Sequence, residues 1–170
     1  MPRKATQAMA EPAGRPRPCA DPDCRGRVAL AVAICEGRGE RMTAFRRRIL
    51  ELLWASGRPT GAYELIEAVE RGESRRVGPP TVYRALAFLM AQGLVSRIES
   101  LNAYVPCAHP ERDHDCLFFI CRGCRASVEL EDPRIGGLLA EDAALLGFAA
   151  TRRTVEVEGM CARCAEAGRA

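Results

Sequence analysis

Aromatic residues are scarce in this 170-residue chain: one Trp, three Tyr and five Phe make up 5% of it. A core with so few large rings must be built mainly from Leu, Val, Ile and Ala, which bury less area per side chain. No apolar run approaches the ~20 residues that cross a bilayer, so no membrane span is expected. The short apolar run at 28–34 follows Asp21 and Asp23 as well as Arg25 and Arg27. It then runs into charged residues at 36–41, and reads as a helix of the folded protein, not a secretory signal. A glycine-rich phosphate loop and a nucleophile–base pairing are also missing. No enzymatic activity is expected.

What is present describes a globular protein, 48% hydrophobic and 28% charged. The length allows one ordinary domain or two small ones, and domains of about 70 residues tend to need a metal, a disulfide or a partner subunit. Nine cysteines could supply such a staple. Without a secretory signal the expected compartment is the reducing cytoplasm, where clustered thiols by default bind metal. The net charge of +3 is mild, but arginines crowd the first third while acidic residues gather toward the C-terminus. That asymmetry suits a chain with one end on phosphates and the other facing a partner, although a basic tail with ordinary surface arginines would give the same pattern.

Residues 1–25 are rich in proline and poor in apolar side chains, and are expected to form a disordered basic tail in which Cys19 and Cys24 are incidental. A helix is expected over 28–35. Thr43 is placed to cap a second helix with a buried stripe of Phe45, Ile49, Leu50, Leu53 and Trp54, ended by Gly57 and Pro59. Thr60 opens a third, with Tyr63, Leu65, Ile66 and Val69 on its core face. Pro79-Pro80 introduces a fourth, since proline in a first turn costs no hydrogen bond. There Val82, Ala85, Leu86 and Leu89 point inward, Thr81, Arg84 and Ala87 outward, and Tyr83 lies on the flank. Strands at 94–98 and 103–106 complete a winged helix-turn-helix over 26–105. Beyond it, strands at 117–120 and 127–130, a helix at 133–146 and a strand at 148–156 mark a second domain, 106–170. The expected class is α+β: an N-terminal winged helix-turn-helix plus a small α/β dimerisation domain with a four-cysteine zinc site.

The strongest chemical signal is Cys121-Arg-Gly-Cys124 with Cys161-Ala-Arg-Cys164. Each Cys-x-x-Cys turn puts two sulfurs on one side of a tight loop, and two such loops complete a tetrahedron around Zn²⁺. The rival reading, a redox dithiol, calls for a pair at the start of a helix, where the dipole lowers a thiol pKa. Cys121 sits between strands and Cys161 close to the C-terminus, so a closed structural zinc site is favoured. On the fourth helix, Arg84 suits a bidentate contact to guanine, Tyr83 a thymine methyl or a phosphate, and Thr81 and Arg46 phosphates. On pattern alone a solvated helical face fits equally well.

Pro79-Pro-Thr-Val-Tyr-Arg-Ala-Leu86 resembles the recognition helix of the ferric uptake regulator family. Gly93-Leu-Val, Tyr104-Val-Pro-Cys107 and both cysteine pairs fall at that family's spacing, from about Val28 to Cys164. The resemblance implies a homodimeric repressor whose metal-loaded form binds palindromic, double-stranded operator DNA. Iron and peroxide sensors of the family carry a His-rich run before the first cysteine pair, whereas this chain has only two histidines. Cys107 resembles instead the zinc uptake regulator branch, which implies one structural and one regulatory Zn²⁺ per subunit and control of zinc uptake genes. Cys107, His114 and Glu129 are then the regulatory ligands, a set suited to tetrahedral zinc. Where that branch has a fourth ligand, a histidine, this chain has Ser96, a poor zinc ligand. Cys116 is the favoured substitute, His109 or water the others, and a buried free cysteine is the competing reading of Cys116. A sibling sensing iron, manganese or peroxide is the alternative within the family, and a thiol redox protein the alternative outside it.

Overall fold

The computed structural model describes residues 22–72, 76–112, 116–130, 132–150 and 153–168. Four helices come first: α1 (Pro22–Gly37), α2 (Ala44–Ser56), α3 (Ala62–Gly72) and α4 (Pro79–Ala91). A hairpin of β1 (Val95–Ile98) and β2 (Ala103–Pro106) follows, with Val95 opposite Pro106 and Ile98 opposite Ala103. Then come β3 (Cys116–Cys121), β4 (Ser127–Leu130), α5 (Pro133–Leu145), β5 (Thr154–Gly159) and α6 (Ala162–Glu166).

Local chemistry accounts for the helix ends. The Thr43 hydroxyl accepts the Arg46 N–H at 3.3 Å and opens α2, which Gly57 closes in the left-handed region at φ 60. Pro79 and Pro80 occupy the first turn of α4, where their missing N–H groups have no helical partner to lose. Ile49, Leu50 and Leu53 of α2, Leu65 and Val69 of α3, and Val82, Leu86 and Leu89 of α4 form one buried core. Leu94, Val95 and Tyr104 of the hairpin region close it from below, and Ala31 and Cys35 of α1 from the side.

Several sequence expectations are corrected. Residues 22–25, assigned to the tail, belong to α1, and Cys24 is buried; residues 1–21, with Cys19, lie outside the described residues. Thr60 does not open α3. It forms an antiparallel bridge with Tyr104, each backbone N–H donating to the other's carbonyl at 3.0 and 2.9 Å. Tyr63, expected in the core, is 71% exposed. Ala62, Leu65, Ile66 and Val69 define the buried stripe at the i, i+3, i+4, i+7 positions, and Tyr63 sits about 100° round the helix from its start. Finally, the strand expected at 148–156 is Thr154–Gly159, and Phe148 is exposed. Its limits are set by its partner: β5 pairs in parallel with β3 from Cys116↔Thr154 to Cys121↔Gly159.

The second sheet has the order β4-β3-β5, with β3 and β4 antiparallel. Because side chains alternate along a strand, its register sorts residues onto two faces. On one face Phe118 stands between Glu129 and Glu156; on the other Phe119 stands between Val128 and Val157. The Phe118 face meets the hairpin. Ile98 and Val105 pack with Phe118 and Ile120 into a second buried cluster, flanked by Leu101 and Cys116, so that the hairpin and the second sheet share an apolar seam.

The helical core yields a direct test. Leu86 is fully buried, and Leu86→Ala is expected to destabilise the first domain by about 2–5 kcal/mol. Denaturant midpoints at unchanged slope measure this, and a loss under ~1 kcal/mol would show that the three-helix core is not packed as described.

Candidate metal centres and nucleic-acid interface

The sulfurs of Cys121, Cys124, Cys161 and Cys164 all lie within 4.8 Å of one another. Four sulfurs placed tetrahedrally at the usual ~2.3 Å from zinc are ~3.8 Å apart, and Cys124 Sγ and Cys161 Sγ are 3.8 Å apart. Two loops build the quartet. After β3 the chain turns back on itself: the Arg125 N–H donates to the Cys121 carbonyl at 2.8 Å and the Cys121 N–H to the Ala126 carbonyl at 2.9 Å. Arg125 reaches this shape with a left-handed φ of 58. The second loop leaves β5 at Gly159, which accepts the Arg122 N–H at 2.9 Å, and Cys161 then caps α6.

Cys161 therefore does lead a helix, contrary to expectation, though a helix of five residues. The Cys161 N–H donates to Cys121 Sγ at 3.3 Å, and this with the Cys124 N–H holds the Cys121 thiol down at about 6. Hydrogen bonds from Cys161, with burial, push Cys164 up. A thiolate ready at neutral pH serves a metal or a redox step alike, but the mutual closeness of four sulfurs favours the metal, since a dithiol needs two.

Cys107 follows β2, is 3% exposed and is tied to the first domain by its N–H to the Leu94 carbonyl at 3.0 Å. Burial first, then the charge of Glu129 and the neighbouring Cys116, push its thiol up to about 12. Glu129 and Cys116 are thus near enough to Cys107 for their charge to be felt there. The three do not close into a ligand cluster: among the described residues only the quartet does. His114 lies outside the described residues. Cys116 Sγ and Ser96 Oγ are 3.3 Å apart, so the serine of β1, a poor zinc ligand, touches the thiol expected to take its place. His109 is half exposed in a loop beside Glu111, as a loop histidine should be.

On α4, Thr81, Tyr83 and Arg84 are exposed on one side while Val82, Ala85 and Leu86 are buried on the other. Arg46, expected at a phosphate, is half-buried and also packs within the fold. Its guanidinium lies 3.4 Å from the centroid of the Phe88 ring and donates to the Arg41 carbonyl at 2.5 Å, fastening α2 to α4. The exposed aromatic of Tyr63, in the first turn of the helix preceding α4, was missed because the residue sits next to a buried stripe.

A model of the ferric uptake regulator family matches residues 37–158. The chain belongs to that family. Among its relatives, the zinc uptake regulation protein of Escherichia coli (strain K12) is 36% identical over 140 residues, 82% of this chain and 81% of that one. A solved zinc uptake regulator in complex with zinc and DNA superposes with a TM-score of 0.81 at 34% identity, covering 88% of this chain and 100% of the other. Holo XcZur is 43% identical, with 83% and 98% covered and a TM-score of 0.75; apo XcZur, with 84% and 98% covered, gives 0.50. In the placement of its parts the chain is closer to the holo than to the apo form of that relative.

Breaking the quartet is expected to undo the second domain. Cys121→Ser should lose one metal per subunit, the protection of β3 and β5 amides, and the dimer, while α2–α4 stay folded. Hydrogen exchange resolved by segment checks this, and intact β3–β5 protection would show the quartet to be dispensable.

Proposed function

We propose that this protein is a zinc-responsive transcriptional repressor that binds palindromic operator DNA as a zinc-loaded homodimer in the cytoplasm and controls zinc uptake genes. The observation that carries the reading is the likeness, through both domains, to regulators named for zinc uptake, one of them solved on DNA. Cys121, Cys124, Cys161 and Cys164 would hold a structural zinc, whose contribution is folding free energy. Cys107, His114, Glu129 and Cys116 would hold a regulatory zinc, two thiolates favouring a soft tetrahedral ion.

The dimer follows from apolar surface. Phe119, Val128 and Val157 form one row across all three strands, each more than a third exposed. Leu138, Leu145, Leu146 and Phe148, on and after α5, are more than 60% exposed. So much apolar area in so small a domain is the mark of a surface covered by a partner, and a second copy is the simplest self-complementary cover. On DNA, the α4 helices of the two copies must sit about one helical turn, ~34 Å, apart. Cys107 moves with the first domain and Glu129 with the second, so ligands on both sides of the seam make its closure depend on the ion. An ion that binds the closed form better selects it by its differential affinity, and ~5 kcal/mol moves a mostly open population to a mostly closed one. Arg84 is the base-reading residue, with Tyr83 and Thr81 beside it, and Arg46, braced on the Phe88 ring, would reach a phosphate.

Two measurements test this. DNA retardation on a palindromic site should require zinc and be abolished by a chelator, and Cys107→Ser should remove the zinc dependence while the dimer stays folded; a variant that still responds to zinc would exclude Cys107. Arg84→Ala should weaken specific binding by roughly 1–3 kcal/mol and relax the base preference at one position per half-site. Unchanged specificity would refute the base-reading role.

A further inference from the structure

The tip of the β1–β2 hairpin does not end in solvent. The backbone N–H of Glu99 donates to Glu156 Oε1 at 2.7 Å and that of Ser100 to Glu156 Oε2 at 3.1 Å. Each carboxylate oxygen takes one of two consecutive amides, so the group is clasped by the turn at both ends. Glu156 belongs to β5 in the second domain, and the turn belongs to the hairpin of the first. Burial works against its charge, yet hydrogen bonds from Ser100 and Glu99 keep the carboxyl below its ordinary value. Hydrogen bonds to an ionised acceptor are about twice as strong as neutral ones.

Its position in the sheet gives the contact a purpose. Phe118 pairs with Glu129 on one side and with Glu156 on the other, so the two carboxylates flank the phenyl ring that seals the domain seam. Glu129, at one end of this row, lies within electrostatic reach of Cys107; Glu156, at the other, grips the hairpin tip. The hairpin is thereby held to the sheet by its tip, beside an apolar pivot formed by Ile98, Val105 and Phe118.

We propose that Glu156 is a positioning residue for operator binding: a latch that docks the hairpin turn on the dimerisation sheet and so favours the closed, DNA-competent placement of α4. It acts through the seam and touches neither DNA nor metal. The proposal rests on the zinc-gated DNA-binding reading above. Zinc at the Cys107 and Glu129 end and the latch at the Glu156 end add their preferences for the same conformer, since effects that bias one equilibrium combine.

The test uses the full chain with zinc at saturation. Glu156→Gln keeps the shape but turns an NH₂ toward one of the two amides. Operator affinity should fall roughly 10- to 100-fold, with zinc content and dimerisation unchanged. The slope of affinity against salt should also stay the same, because no phosphate contact is lost. A variant that binds like the parent, or one whose salt slope falls, overturns the latch. A second measurement needs no substitution at Glu156: the amides of Glu99 and Ser100 should be protected from hydrogen exchange in the zinc-loaded protein and exchange quickly in Cys107→Ser. Fast exchange in the loaded protein overturns the proposal even if Glu156→Gln does not fold. If the parent itself binds DNA without zinc, the zinc-gated reading fails, whereas protection of these amides still reports on the latch alone.

Discussion

Four sulfurs gathered within 4.8 Å are the constraint on which the second half of the molecule depends. Two parallel neighbours, β3 and β5, finish at the same edge of the sheet with Cys121 opposite Gly159. One cysteine pair begins on the last residue of β3 and the other follows two residues after β5 ends. A tie at that edge fixes how far β5 slides along β3. A shift by one residue would turn Val157 and Glu156 to the wrong faces, and both the apolar row and the carboxylate row would be lost. A three-stranded sheet with one long and one short helix buries too little to hold that register by itself, which is the setting in which a metal is worth most to a small domain.

The sheet has no spare face. Its inner side, with Phe118 and Ile120, closes on the hairpin; its outer side, with Phe119, Val128 and Val157, is the exposed apolar face proposed for a second copy. Alternation along β3 therefore encodes both connections in adjacent residues. The seam is apolar at its centre and polar at its margins: Ser96 touches Cys116 on one flank, and Glu156 clasps the hairpin turn further along. Apolar contact supplies adhesion without direction, and the polar contacts supply the direction.

Much of this was legible in the residues. β2 and β4 fall where alternation and turn residues put them, α4 begins at its prolines, and spacing alone brings the cysteine quartet together. What escaped depends on distant partners. α1 runs out of a proline-rich stretch because Ala31 and Cys35 pack into the core with α2, and Cys24, read as incidental, is buried and disulfide-bonded. Tyr63 is an aromatic on the wrong side of a short stripe, which composition cannot reveal. Arg46 looks like a free cation until Phe88 lies under it. β5 was misplaced because parallel pairing is set across a long sequence separation, and Glu156 could not be singled out until that pairing was known.

The order in which the quartet is written along the chain has its own consequence. Cys121 and Cys124 emerge from the ribosome well before Cys161 and Cys164, with α5 and β5 between them. The winged head, built from local helices and a tight hairpin, has all its parts in hand at a stage when the dimer body still lacks its central pairing. A nascent chain therefore carries a finished reading head on an unfinished body, and becomes able to pair with another only after its late sulfurs arrive.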